Sequence, residues 1–170
     1  FLANLTRKIS LQKKVDPIKV AIQSTIDHNC EYRYFYYSPN YSYLSLSPEN
    51  FISVKDGKII SKPMKGTAKT FEELNSNHKD REENTMIVDL VRADFSKIAI
   101  PSSIEVTEFQ NITSHPGLVQ MNSSIKALLE EPYDIRNCIK DLMPIASVSG
   151  TPKPRAIEKI AEYEKFDRGI

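Results

Sequence analysis

The hexapeptide KPMKGT at 62–67 places a lysine, Lys65, two residues after a proline and directly before a glycine. A lysine between a proline-stiffened strand end and a glycine is held in one place, as a reacting amine must be. The alternative interpretation is a solvated surface lysine in a loop, which is what a hexapeptide of this kind more often contains. Other features of the sequence are needed to distinguish a reacting amine from a surface lysine.

Two acidic residues form a second candidate group. Asp80 and Glu83 are three residues apart in a segment, 78–94, that has helical periodicity, so both lie on one face of a predicted helix. Two carboxylates on one face suit a hard cation such as Mg²⁺, which prefers oxygen ligands and keeps several waters. The alternative is a solvated first turn, where acidic residues favour the helix dipole.

Several other functions lack support in the sequence. Gly66 and Gly150 stand singly, without the glycine spacing of nucleotide-binding loops. The three histidines are too scattered to predict a zinc site. The formal net charge is +1 with both signs interspersed, so we expect neither nucleic acid nor an anionic membrane as a partner.

The composition of the 170 residues is that of one globular domain, and no apolar stretch approaches the length of a membrane span. Cys30 and Cys138 are the only cysteines and have no metal-type spacing, which favours a reducing compartment, the cytoplasm. The chain begins at Phe1 without an initiator methionine, and it stops just after Arg168-Gly169. We therefore expect a piece of a longer protein.

The elements that must position these groups are strands in the first half and a mixture of helices and strands after them. Asp16-Pro17 is typical of a helix start, and Asp134 can begin a helix over 135–142. Strands are predicted at 32–37, 41–46, 51–54 and 58–64, as an antiparallel meander that ends at Lys65. Alternation predicts a strand at 119–129, and periodicity predicts helices at 78–94 and 154–166, with a loop at 144–154. This pattern predicts an α+β fold, with antiparallel β-sheets flanked by helices.

Four motifs occur in a fixed order. They are SPENF at 47–51, KPMKGT at 62–67, KDREENTMIVDLVRAD at 79–94 and PIASVSGTPKPRAIE at 144–158, followed by Arg168-Gly169. Together they resemble the chorismate-utilising enzymes, the family of anthranilate synthase, aminodeoxychorismate synthase and isochorismate synthase. The resemblance implies that residues 1–170 are a partial chorismate-binding domain, with N- and C-terminal parts of that domain missing.

The resemblance also implies an activity. Anthranilate synthases usually have alanine at the position of Lys65, whereas component I of aminodeoxychorismate synthase has lysine. The expected reaction converts chorismate and ammonia to 4-amino-4-deoxychorismate, for para-aminobenzoate and folate synthesis, with Mg²⁺ as cofactor and a glutamine amidotransferase subunit as ammonia source. Anthranilate synthase component I is one alternative. The other is a non-catalytic module that retains the fold, which Ile145-Ala146 in place of a glycine pair leaves open.

Within this resemblance, individual residues match functional positions of the family. Lys65 matches the nucleophile that attacks C2 of chorismate as the C4 hydroxyl leaves, and Glu49 matches the general acid for that hydroxyl. Asp80 and Glu83 match the acidic pair on the magnesium side. The residues that match substrate-binding positions are Gly66, Thr67, Ser147, Gly150 and Thr151. Gln120 stands where anthranilate synthases have a histidine and receives no acid–base role. The intact parent is expected to be an enzyme, and the 170-residue piece alone is expected to be inactive.

Overall fold

The computed structural model describes residues 2–10, 12–28, 30–115 and 117–168. The chain divides into two units, one made of Phe1–Thr6 and Phe51–Ile170 and the other of Arg7–Asn50. Among the residues described, none of the helices combines the length and the apolar character needed to cross a membrane.

The secondary structure mixes strands and helices along the chain. The strands are β1 (Leu2–Ala3), β2 (Tyr32–Tyr37), β3 (Ser42–Ser47), β4 (Asn50–Lys55), β5 (Lys58–Lys62), β6 (Met64–Ala68), β7 (Glu105–His115), β8 (Leu118–Leu128) and β9 (Gly150–Thr151). The helices are α1 (Pro17–Asp27), α2 (Phe71–Asn75), α3 (His78–Phe95), α4 (Ile135–Leu142), α5 (Ala146–Ser149) and α6 (Lys153–Tyr163), with a 3₁₀ turn at Pro101–Ser103. All the strand pairs with a defined register are antiparallel, as predicted.

The unit Arg7–Asn50 contains α1 and the hairpin β2–β3. The carboxylate of Asp16 accepts hydrogen bonds from the backbone N–H groups of Ile18 and Lys19, so α1 begins where the Asp-Pro pair predicts. Strands β2 and β3 pair along their whole length and form a two-stranded sheet of their own. Aromatic side chains cover this hairpin, and the rings of Tyr36 and Tyr41 stack with centroids 5.7 Å apart.

The sheet of the larger unit is built around β8. One edge of β8 pairs with β7, and the other edge pairs with β5 and then with β6. The predicted meander is present only as the separate pairs β2–β3 and β4–β5. It is wrong as one continuous sheet, because β2–β3 forms its own sheet and the predicted last strand is divided into β5 and β6, which both pair with β8. Pro63 interrupts the ladder since it has no N–H, but its carbonyl accepts from the N–H of Ser123 at 3.1 Å and keeps the register.

The core lies between β8 and α3. Alternate residues of β8 are buried, as predicted, namely Met121, Ser123, Ile125 and Ala127. Helix α3 buries Ile87, Val88 and Phe95 against the sheet, together with the amide side chain of Asn84. This stripe is the physical reason that a helix forms over 78–95.

The C-terminal part begins with α4, which starts after Asp134 as predicted. The predicted loop 144–154 contains more order than the sequence indicates. It holds the one-turn helix α5, and its strand β9 pairs with β1 at the N-terminal end of the chain. Because that pairing joins residues about 150 positions apart, local sequence gives no signal for it.

Candidate active site

Lys65 lies at a bulge in the middle of β6, not at a strand end. Met64 pairs with Asn122 and Thr67 pairs with Gln120, so Lys65 and Gly66 together lie opposite one residue of β8. Gly66 has a φ of +97°, in the left-handed region that favours glycine. A bulge of this kind changes the direction in which the neighbouring side chain projects.

Gly66 brings the acidic helix close to the lysine. A Cβ atom at Gly66 would lie 3.0 Å from Cβ of Asp80 and 3.0 Å from Cδ1 of Leu74. Only a residue without a side chain allows the first turn of α3 to approach the backbone of β6 so closely. The structure therefore places Asp80 directly beside the bulge that carries Lys65.

The amine of Lys65 meets the segment that carries the fourth motif. Lys65 is half-buried, and its Nζ donates a hydrogen bond to the backbone carbonyl of Ser147 at 3.4 Å. Ser147 thus contributes its carbonyl oxygen to this contact. The second and fourth motifs, 82 residues apart in sequence, meet at one point.

The small-residue segment after Ser147 is held by the N-terminal strand. Gly150 is buried, has a φ of +133° and pairs with Ala3, and the half-buried Thr151 pairs with Leu2. The side-chain amide of Asn4 donates to the carbonyl of Ser147 at 3.0 Å. The segment therefore has a defined conformation next to Lys65.

The acidic pair lies on the first two turns of α3. Asp80 Oδ2 accepts from the side-chain amide of Asn77 at 2.7 Å, and Asn77 in turn accepts from the backbone N–H of Asp80 at the helix start. Glu83 is half-buried and lies 3.7 Å from Nζ of Lys79. The two residues are one helical turn apart on α3, and Asp80 lies next to Gly66.

The two carboxylates fit part of a magnesium site. Over the ranges that the structure describes, no group of three or more His, Cys, Asp or Glu side chains gathers in a metal-binding arrangement. Mg²⁺ is commonly held by one or two carboxylates, with waters and substrate oxygens completing six ligands. The assignment of Asp80 and Glu83 as magnesium ligands stays a prediction.

The remaining residues matched by resemblance occupy different settings. Thr67 is exposed on β6, and its ladder partner Gln120 is half-buried in β8. Glu49 belongs to the unit Arg7–Asn50, where its backbone N–H donates to Oγ of Ser47 at 3.2 Å and its carbonyl accepts from the same hydroxyl at 3.0 Å. Glu49 is half-buried within that turn, and its role as a proton donor stays a prediction.

The sequence analysis missed a polar network that fixes α3 against the sheet. The hydroxyl of Ser123 donates to Oδ1 of Asn84 at 2.6 Å, and both side chains are fully buried. The same hydroxyl accepts from the N–H of Gln110, a residue with a φ of +53° at a bulge in β7. The side chain of Gln110 donates to the carbonyl of Arg81 and to Oγ1 of Thr85. The sequence signal for this network is Asn84, a polar residue within the apolar stripe of α3.

A second missed contact fixes the other end of α3. Asp94 forms a half-buried ion pair with Lys153, the first residue of α6, and Lys153 also donates to the carbonyl of Leu142 at 3.1 Å. Asp94 also pairs with Lys97 at 2.8 Å. Three helices thus meet at this ion pair, two residues after Thr151.

Known proteins resemble this chain over its whole length. The family described as chorismate binding enzyme matches residues 1–170. Aminodeoxychorismate synthase component 1 of Salmonella typhimurium is 37% identical, over 71% of this chain and 29% of the relative. Anthranilate synthase component 1 of Lactococcus lactis is 27% identical, over 100% of this chain and 40% of the relative.

The fold also matches a solved structure. The crystal structure of anthranilate synthase component I from Streptococcus pneumoniae TIGR4 superposes with a TM-score of 0.84 and 28% identity, over 94% of this chain and 37% of that chain. The chain spans less than half the length of these relatives. The match over all 170 residues shows that this chain belongs to the chorismate binding enzyme family.

Proposed function

We propose that the full-length protein is component I of an aminodeoxychorismate synthase, which converts chorismate and ammonia to 4-amino-4-deoxychorismate. The observation that carries this proposal is the position of Lys65. Its amine projects from a bulge that packs against Asp80 and reaches the carbonyl of Ser147. An amine in this place supports covalent chemistry on the substrate, for which alanine would be inert.

In the proposed reaction, Lys65 acts as a nucleophile. Its uncharged amine forms a bond to C2 of chorismate, the two ring double bonds shift, and the C4–O bond breaks. Glu49 gives a proton to the departing hydroxyl, which leaves as water. Ammonia then bonds to C4, the double bonds shift back, and the bond between Lys65 and C2 breaks. The ammonium group formed at C4 returns one proton to Glu49, so both Lys65 and Glu49 regain their starting forms. The net change replaces the C4 hydroxyl by an amino group and releases one water.

The acidic pair has a separate role in the proposal. Chorismate carries two carboxylates, and a site with Asp80 and Glu83 alone would repel them. Bound Mg²⁺ would supply positive charge to a substrate carboxylate. Asp80 and Glu83 would hold the ion on the side of Lys65 where α3 begins, next to Gly66. Gly66, Thr67, Ser147, Gly150 and Thr151 would line the substrate position.

A partner subunit follows from the need for ammonia. The relatives are named as component 1 of their synthases, which implies a second component in those proteins. We propose that a glutamine amidotransferase subunit releases ammonia from glutamine and delivers it to C4 of the substrate bound near Lys65. Free ammonium salts would replace that subunit in an assay.

Anthranilate synthase component I is the second candidate. The similarity to the Lactococcus lactis enzyme over 100% of this chain, and to the Streptococcus pneumoniae structure with a TM-score of 0.84, favours it. The two candidates differ in product, because anthranilate is aromatic and forms with loss of pyruvate. By contrast, 4-amino-4-deoxychorismate keeps the enolpyruvyl group.

Product analysis of the full-length protein tests the proposal. We expect chorismate, ammonium and Mg²⁺ to give 4-amino-4-deoxychorismate, identified by liquid chromatography and mass spectrometry, without pyruvate release. Anthranilate with one equivalent of pyruvate would support the second candidate instead. Chorismate that is bound but left unchanged would indicate a non-catalytic module.

A further inference from the structure

The carbonyl groups at the end of α5 each have a donor from outside the helix. A one-turn helix cannot satisfy its last carbonyls internally. The carbonyl of Ser147 accepts from Nδ2 of Asn4 at 3.0 Å, and that of Ser149 accepts from the backbone N–H of Asn4 at 2.9 Å. Between them, the carbonyl of Val148 accepts from Arg168 at 3.2 Å. Asn4 and Arg168 together thus hold three successive carbonyls.

Arg168 is itself held in place. Its guanidinium donates to both carboxylate oxygens of Glu164, at 2.8 and 2.7 Å, and to the carbonyl of Asn4 at 2.7 Å. The Glu164 side chain is 6% exposed and also accepts from the N–H and hydroxyl of Thr6. The hydrogen bonds from Arg168 and Thr6 lower the pKa of Glu164 to about 2, so this carboxylate is charged at neutral pH.

We call the three residues Asn4, Glu164 and Arg168 the carbonyl clasp. It connects the N-terminal segment to the end of α5 and to the residues that follow α6, through contacts that span 143 and 164 positions in sequence. Asn4 is bonded through its backbone N–H, its carbonyl and its side chain, so its position is determined on three sides. Such a residue imposes a position on its neighbours.

The clasp ends at the lysine of the candidate active site. The carbonyl of Ser147 accepts from Asn4 at 3.0 Å and from Nζ of Lys65 at 3.4 Å. A carbonyl oxygen has two lone pairs and can accept both. When the uncharged amine donates one hydrogen to this oxygen, its nitrogen lone pair points away from the oxygen. The position of the carbonyl therefore determines the direction of that lone pair.

We propose that Asn4, held by Arg168 and Glu164, is a positioning residue for Lys65. It fixes the Ser147 carbonyl, and the carbonyl in turn orients the amine toward the substrate. The consequence for the reaction depends on the proposed function, but the effect on the Lys65 amine does not. Asn4 itself has no contact with the reacting atoms in this proposal.

The test uses the full-length protein and the variants Asn4→Ala and Asn4→Asp, neither of which can donate to the Ser147 carbonyl. Trace acetylation by acetic anhydride followed by mass spectrometry measures the reactivity of Lys65, with Lys126 on β8 as an internal reference. A rapid-quench experiment measures the single-turnover rate of adduct formation with chorismate. The adduct rate is expressed per folded molecule, and acetylation of Lys126 reports any general loosening of the fold.

Two opposite changes are expected in both variants. Acetylation of Lys65 relative to Lys126 rises about threefold, since a freed side chain is more accessible. Adduct formation slows about 10- to 100-fold, the order expected when a reacting group is misplaced by about 1 Å. The dissociation constant of chorismate changes by less than about twofold, because Asn4 does not bind the substrate.

The control variant is Glu158→Gln. It breaks the ion pair of Glu158 with Arg155 on the same helix as Glu164, and both of these side chains are more than 60% exposed. Exposed pairs contribute little, so neither rate should change. Arg168→Lys, which keeps the charge but loses the fork geometry, should fall between the wild type and Asn4→Ala.

Three outcomes are decisive. Wild-type rates of Lys65 acetylation and of adduct formation in Asn4→Ala would overturn the positioning role. An equal rise in acetylation at Lys126 would also overturn it, since general loosening would then explain the effect. Altered acetylation of Lys65 alone, in a protein that forms no chorismate adduct, would support the clasp while contradicting the proposed function.

Discussion

Gly66 is the residue that lets the acidic helix and the lysine strand share one site. Its φ of +97° is costly for any other residue, and its missing side chain leaves room for Asp80 and Leu74. A neighbouring glycine offers a comparison. Gly57, in the turn between β4 and β5, also has a positive φ of +71°, but a Cβ there would meet nothing within 4 Å.

The substitution Gly66→Ala should therefore cost more stability than Gly57→Ala. Backbone strain costs about 1–2 kcal/mol at either position, and overpacking against Asp80 and Leu74 adds about 1–3 kcal/mol at Gly66 alone. The free energy of unfolding from urea titrations measures both. Equal losses in the two variants would show that α3 does not press on Gly66.

Glu83 is a residue whose proposed role is metal binding. Glu83→Gln should raise the Mg²⁺ concentration for half-maximal activity by at least about tenfold, as loss of ligand support does in metal sites. Lys79→Met removes the ion-pair partner that lies 3.7 Å from Glu83. This variant should change the Mg²⁺ concentration for half-maximal activity little, because Lys79 is exposed. A metal titration of Glu83→Gln that overlays the wild type would remove Glu83 from the site.

The KPMKGT motif and the spacing of the acidic residues were visible in the sequence because both are local patterns, and the roles assigned to these residues stay predictions. The structure brings Lys65, Asp80 and Ser147 close together. The part played by Asn4 was not predictable, since its hydrogen bond to Ser147 joins positions 143 residues apart. Sequence periodicity carries no signal for a contact of that range.

At the scale of elements, the pairing of β8 with α3 determines where the acidic pair lies. The alternation of β8 and the caps of α1 and α4 were predicted correctly because each depends on neighbouring residues. Helical periodicity alone did not predict which residues of α3 are buried, since the polar Asn84 is fully buried and the apolar Met86 is exposed. The hydrogen bond of Asn84 to Ser123 sets the rotation of the helix, and sequence patterns that count only apolar residues miss it.

Ser123→Ala should destabilise the protein by about 1–3 kcal/mol, because it leaves the buried Oδ1 of Asn84 and the N–H of Gln110 without this partner. In a double-mutant cycle with Asn84→Leu, the combined loss should be smaller than the sum of the two single losses. Urea unfolding of the wild type, the two single variants and the double variant gives the coupling free energy between Ser123 and Asn84. Strict additivity would show that the buried hydrogen bond does not join the helix and the strand.

At the scale of the whole molecule, the two ends of the larger unit close on each other. Strand β1 pairs with β9, and Glu164 and Arg168 at the end of α6 hold Thr6 and Asn4. This closure holds the fourth motif beside Lys65.

The closure predicts an acid-sensitive stability. The pKa of Glu164 is lowered from 4.5 to about 2 by Arg168 and Thr6, so its stabilising effect is complete above about pH 4.5 and is lost as the pH falls toward 2. Glu164→Gln should lose stability at neutral pH and show a smaller further loss between pH 5 and 2 than the wild type. Urea midpoints at pH 7, 4.5 and 3 measure this.

The matched control is Glu162→Gln on the same helix. Lys159 also lowers the pKa of Glu162, but that carboxylate is 56% exposed, so salt screens the pair. Glu162→Gln should therefore shift the urea midpoint little, and the shift should be smallest in about 1 M salt. A pH dependence of Glu164→Gln identical to that of the wild type would mean that Glu164 does not close the unit.

The covalent role of Lys65 is tested most directly by intact-protein mass spectrometry of the full-length protein with chorismate and Mg²⁺ but without ammonia. We predict a mass increase equal to one chorismate-derived adduct, which digestion assigns to the peptide that contains Lys65. In Lys65→Ala we predict no adduct and, in a parallel assay with ammonium, no 4-amino-4-deoxychorismate. Lys65→Arg is the matched control that keeps the charge and removes the nucleophile. Formation of 4-amino-4-deoxychorismate by Lys65→Ala at the wild-type rate would contradict the account.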